Sequence, residues 1–205
     1  MLSEKRLTRV IKRLPKKSIY SYSDVKEKLN DIDSSTLSKT IMCLHKKGVV
    51  THVDRGMFKK EEPINSLLFV YGSLKKGFQN HDIIKEATYK CKVRTRKKFA
   101  MYEEPFGNYP YLIDKGNQGH KIEGELYEIN RKDLLDAIDE FEGAPTYYVR
   151  KSIMVEMRNG EIKKALAYFF ANQKTPENQI PLKEWTDDKD RYLKIFQDYY
   201  KSMSK

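Results

Sequence analysis

The eight residues KKEEPINS, at positions 59–66, constrain the fold more than any other stretch of the chain. A charge run, a proline and small polar residues make a poor interior, and they stand directly before the apolar segment LLFVY at 67–71. The chain therefore builds one core on each side, and 205 residues suffice for two small domains. The expected division is a first domain over 1–62, a linker over 63–66 and a second domain over 67–205. Charge divides with it: 15 basic and 8 acidic residues precede Pro63, against 25 and 21 after it, so the first part carries +7 of the net +11. Such an excess suits a polyanionic partner. Charged residues make up 34% of the chain, yet 14 Tyr and 9 Phe supply enough aromatic surface for two dense cores.

Several classes drop out. The only cysteines, Cys43 and Cys91, cannot make a disulfide scaffold or a paired Cys-x-x-Cys zinc site, and they fit a reducing, cytoplasmic setting. His45, His52, His81 and His120 are scattered, so no metal site and no cofactor is expected. The longest apolar runs, at 67–71 and 165–171, are far shorter than the roughly 18 residues of a membrane helix, so no membrane partner is expected. The opening MLSEKRLTRVIKRLPKK has no apolar region or cleavage site of a secretory signal, and its basic amphipathic character leaves organelle targeting as a minor alternative.

In the first domain, Leu7, Val10, Ile11 and Leu14 keep helical spacing until Pro15. Ser21-x-x-Asp24 has the form of a capping box opening a second helix through Val25 and Leu29. A third helix is predicted from Ser34 or Ser35, with Leu37, Ile41 and Leu44 buried and Lys46-Lys47-Gly48 closing it. Val49, Val50 and Val53 then lead through the turn Asp54-Arg55-Gly56 into Met57 and Phe58. Three helices followed by a basic hairpin is the order of a winged helix-turn-helix, whose third helix enters the major groove of double-stranded DNA. The solvent side of that helix presents Ser35, Thr36, Ser38, Lys39 and His45, and Arg55 stands at the wing tip. A protein-docking bundle remains the alternative. The stretch 19–59, with YSYSDV, STLSKTIMCLHKKGVV and RGMF, resembles the winged-helix domain that opens AbiEi-type antitoxins. That resemblance implies a sequence-specific, often autoregulatory DNA-binding module.

In the second domain the strand at 67–71 runs into Gly72-Ser73-Leu74, a turn whose amides can face a ligand. A helix carrying Leu134, Leu135, Ile138 and Phe141 ends in Asp139-Glu140-Phe141-Glu142-Gly143, and two long strands, 147–157 and 162–171, pair about Arg158-Asn159-Gly160. Asp139 and Glu140 read as solvated helix-end charges, and residues 187–205 as a terminal helix. VYGSLKKG with Asn80-His81, then YPYLI, EGELY and LLDAIDEFEG with Pro145, Tyr148 and Arg150, resemble the gamma-glutamylcyclotransferase-like family, nearest its gamma-glutamylamine cyclotransferase and AIG2-like branch. The whole is then an α+β protein, a winged helix followed by a mixed β-barrel with helices.

The resemblance implies a binding loop at Tyr71, Gly72, Ser73 and Leu74 and a catalytic carboxylate at Glu142; Tyr148, on the strand beside it, is a further candidate for the substrate pocket, with core packing as the alternative. The loop lacks the extra residue of enzymes acting on ordinary gamma-glutamyl amino acids, which favours gamma-glutamyl amines. The expected activity is cyclisation of a gamma-glutamyl small molecule with release of 5-oxoproline. The alternative is a transcriptional regulator or antitoxin-like factor whose barrel senses such a metabolite without turnover. A homodimer stays open.

Overall fold

The computed structural model describes residues 4–15, 19–29, 32–61, 63–105, 108–177 and 179–186. The chain forms two compact units, Met1–Asn65 with Ile129–Asp136, and Ser66–Glu128 with Ala137–Lys205. The strand expected from residue 67 begins one residue earlier, and the short segment 129–136 is counted with the first unit. The helix expected over 187–205 lies outside the described residues.

The first unit runs α1 (Glu4–Arg13), β1 (Ile19–Ser21), α2 (Tyr22–Glu27), α3 (Ser34–Lys46), β2 (Val50–Asp54) and β3 (Met57–Lys60). The capping box forms as read: Asp24 N–H donates to Ser21 Oγ at 3.1 Å and Ser21 N–H to Asp24 Oδ2 at 2.6 Å. Asp33 caps α3 through the Thr36 N–H, and its carboxyl is held below its ordinary range by those bonds. Lys60 Nζ donates to the carbonyls of Lys12 and Leu14, placing positive charge at the end of α1. Leu7, Ile11, Leu37, Ile41 and Phe58 are fully buried between the helices and the sheet. The sheet order β1-β3-β2 adds β1, a strand absent from the sequence reading, antiparallel to β3.

The second unit contains β4 (Ser66–Val70), β5 (Thr88–Thr95), β6 (Ala100–Glu103), β7 (Pro110–Ile113), β8 (Glu123–Ile129) up to residue 128, α4 (Lys132–Phe141) from residue 137, β9 (Tyr148–Met157) and β10 (Ile162–Phe170). Five strands close into a barrel in the order β10-β4-β8-β5-β9, while β6 and β7 form a separate antiparallel pair. The barrel is mixed: β10 lies parallel to β4 and antiparallel to β9, with Leu166 opposite Leu68. Alternation along β10 sends Ala165, Ala167 and Phe169 into the barrel core and leaves Tyr168 on the opposite face, where it is also buried. Among the described residues no helix is long and apolar enough to cross a membrane.

Candidate active site

Where β4 ends, Tyr71, Gly72, Ser73 and Leu74 turn across one wall of a cavity of about 210 Å³. Asn80, Tyr109, Pro110, Phe141, Glu142, Tyr147, Tyr148 and Tyr168 complete most of the lining. Hydrogen bonds fix the loop through its carbonyls: Gly72 C=O accepts from Lys75 N–H at 3.0 Å and Ser73 C=O from Asn80 N–H at 3.1 Å. Asn80 Nδ2 donates to Ser73 Oγ at 3.0 Å, and His81 Nδ1 lies 2.9 Å from the Leu74 carbonyl. Among the described residues the N–H groups of Gly72, Ser73 and Leu74 find no acceptor. Three consecutive main-chain donors left over beside a cavity suit a carboxylate or a developing oxyanion. Gly72 is required by closeness: a Cβ there would stand 2.9 Å from Pro110 Cγ and 3.0 Å from its Cδ.

Glu142 follows the last turn of α4. Its N–H donates to the Ile138 carbonyl at 3.0 Å, and Gly143, at φ 60°, turns the chain so that Ala144 N–H reaches the Asp139 carbonyl at 2.8 Å. The Glu142 carboxyl has no hydrogen-bond or ion-pair partner among the described residues. Burial alone lifts its pKa from the ordinary 4.5 to about 7. Burial, then the Glu142 charge, push the Tyr71 phenol well above its ordinary range, so it keeps its proton and donates to the Tyr168 carbonyl at 2.8 Å. Tyr148 is raised chiefly by burial, then by Tyr71 and Glu142. Within this cavity Glu142 is the group that changes charge near neutrality.

All six residues assigned to substrate from the sequence, Tyr71, Gly72, Ser73, Leu74, Glu142 and Tyr148, line this one cavity. Two expectations need correction. Phe141, placed on the buried stripe of the helix, is 44% exposed and belongs to the cavity lining, because the stripe of α4 ends at Ile138. Asp139 is not a free helix-end charge: partly exposed, it pairs with Arg150 and accepts the Tyr168 hydroxyl at 2.6 Å. The sequence reading also passed over Asn80, Tyr109, Tyr147 and Tyr168 as lining residues. The double tyrosine 147–148, just after the helix that carries Glu142, was the available signal: both rings line the cavity and pack 5.3 Å apart.

The residues assigned to DNA lie in the first unit. Ser35 and Lys39 are exposed on α3, Thr36 and Ser38 are half-buried, and Arg55 is exposed in the turn between β2 and β3. His45 departs from its expected solvent position: its Nδ1 lies 3.0 Å from the Val50 carbonyl and its ring packs 4.9 Å from that of His52, because the chain folds back there into β2. No group of three or more potential metal ligands occurs among the described residues. Met42, 55% exposed, shares the face of Ser35, Lys39 and Lys46 and was missed because methionine reads as core.

The cavity thus carries a carboxyl with no partner among the described residues, raised to titrate near neutrality, an arrangement suited to acid–base chemistry. The family profile "Gamma-glutamyl cyclotransferase, AIG2-like" matches residues 68–187, more than half of the chain, and the chain belongs to that family. A protein of Methanocaldococcus jannaschii with a provisional gamma-glutamylcyclotransferase name is 39% identical over 124 residues, 60% of this chain and 95% of its own. The gamma-glutamylaminecyclotransferase of Rattus norvegicus is 32% identical over 99 residues, 46% of this chain and 66% of its own. The crystal structure of an AIG2-like protein from Mus musculus superposes with a TM-score of 0.57 at 25% identity, covering 62% of this chain and 92% of that one. The chain is accordingly a cyclotransferase-like enzyme.

Proposed function

We propose that the second unit is a gamma-glutamyl amine cyclotransferase. The observation that carries this reading is the unpartnered Glu142 carboxyl, lifted to about 7, in one cavity with the spare N–H groups of the 72–74 loop. The substrate brings its own nucleophile. Its alpha-amine attacks the gamma-carbonyl, a C–N bond closes the five-membered ring, and the bond to the leaving amine breaks. Glu142 takes a proton from the alpha-nitrogen and returns it to the departing nitrogen, so no water or metal enters the balance. Near neutral pH Glu142 is present in both forms, which suits a group that must accept and then donate. The loop amides hold the substrate's carboxylate or carbonyl oxygen, and fixing amine against carbonyl is worth an effective molarity of roughly 10⁵ to 10⁸ M. Among the described residues lining the cavity there is no lysine or arginine to serve as counter-ion to a leaving group with its own carboxylate, which favours amines over amino acids. Mass spectrometry of 5-oxoproline released from paired gamma-glutamyl amines and gamma-glutamyl amino acids tests this. Equal turnover of both sets refutes the preference, and no release from either refutes the enzyme.

For the first unit we propose a winged helix that binds duplex DNA. Its helix and hairpin order, the +7 balance of residues 1–62 and the exposed face of Ser35, Lys39, Met42 and Lys46 support this reading. The union of the two units favours a second function, a regulator whose barrel senses a gamma-glutamyl ligand. Gel shifts with and without ligand, on the turnover-deficient Glu142→Gln chain, separate them: unchanged DNA affinity refutes the sensor.

A further inference from the structure

A carboxyl that must take up a proton and give it back cannot also be tied to a protein partner. Glu142 has none among the described residues, so its position is set by the backbone and by its neighbours. Asp139 stands one helical turn before it and is bound three ways. Its main-chain carbonyl accepts from Ala144 N–H at 2.8 Å, closing the turn that carries Glu142. One carboxylate oxygen accepts the Tyr168 hydroxyl at 2.6 Å, and the other pairs with the Arg150 guanidinium. The Tyr168 carbonyl in turn accepts from the Tyr71 hydroxyl. A continuous chain, Arg150 to Asp139 to Tyr168 to Tyr71, thus links β9, α4, β10 and the binding loop, and its last two members line the cavity.

We propose that Asp139 is a positioning residue: anchored by Arg150, it sets Glu142 and the Tyr168 wall against the 71–74 loop, and Arg150 neutralises it so that its charge does not act on Glu142. The inference rests on the cyclotransferase reading. Asp139 and Arg150 are 26% and 32% exposed, and a pair so open to water contributes little to stability, so its loss is felt in geometry rather than in folding. Misplacing a reacting group by about 1 Å can cost roughly 10²-fold in rate. Among the described residues, the titratable groups that line the cavity with Glu142 are Tyr71 from the loop, Tyr109, Tyr147, Tyr148 from β9 and Tyr168 from β10, with Asp139 on α4 and Arg150 paired to it.

The test uses the full chain with Asp139→Asn, Tyr168→Phe, their double variant and Arg150→Met. Turnover is measured on a gamma-glutamyl amine, and the Glu142 carboxyl is titrated by carbon-13 NMR. Asp139→Asn and Tyr168→Phe each lower kcat about tenfold or more with KM within about threefold, and the double variant falls no further than the worse single, because the first cuts the network at Arg150 and the second cuts the same network at Tyr168. Tyr168→Phe keeps the ring and so keeps the fold. Arg150→Met raises the Glu142 midpoint, and adding Asp139→Asn returns it. A kcat within about twofold of wild type, a loss carried by KM, or multiplying losses overturn the inference. If the wild type releases no 5-oxoproline the cyclotransferase reading fails, and the titration still decides the network: an unmoved midpoint in Arg150→Met sinks it.

Discussion

Replacing Glu142 by Gln separates catalysis from stability in one variant. A rise from the ordinary 4.5 to about 7 means that the folded chain binds this proton more tightly than the unfolded chain does. Its contribution is fully present below the unfolded value of 4.5 and is lost as pH rises through 7. At about 1.4 kcal/mol for each tenfold change in the ionisation constant, the cost of the buried charge above pH 8 comes to about 3 kcal/mol. Glutamine is nearly isosteric and never ionises, so it removes that cost. Glu142→Gln should unfold like wild type near pH 4 and be more stable by up to about 3 kcal/mol near pH 8.5, while turnover falls roughly 10²- to 10⁴-fold. Urea unfolding at the two pH values reads the first effect, and 5-oxoproline release the second. A stability difference that does not change with pH would show that the carboxyl is not desolvated, and retained turnover would remove Glu142 from the mechanism.

Three further outcomes are expected. The acid limb of kcat/KM should rise with pH to a plateau, with a midpoint near 7 set by Glu142, and a midpoint near 4.5 contradicts its burial. Gly72→Ala, whose new methyl meets Pro110 at 2.9 Å, should raise KM by about tenfold or more while circular dichroism stays that of wild type; unchanged KM refutes the tight contact. Duplex binding by the full chain should weaken steeply with salt, and Lys39→Ala and Arg55→Ala should each lower the salt slope by about one; no binding at low salt refutes the DNA reading.

Sequence alone determined what depends on near neighbours. The capping box at Ser21 and Asp24, the buried stripe of α3, and the hairpin turns at 54–56 and 158–160 rest on contacts within a few residues, so their signals are local. The turn after β4 was legible because a strand stops there at a glycine, whereas the 71–74 loop and Glu142 stood out as a site through the resemblance of VYGSLKKG and LLDAIDEFEG to the gamma-glutamylcyclotransferase-like family. Strands β1 and β5 were not: β1 has three residues, and β5 alternates exposed charges with few apolar positions, so pairing with distant strands makes them strands. Tertiary structure likewise decided the chemistry of the cavity. Tyr168 and Arg150 reach Asp139 from 29 and 11 residues away, turning an apparently solvated charge into a bound one. The raised pKa of Glu142 comes from burial, and burial exists only once α4, the 71–74 loop and the strand ends close around it.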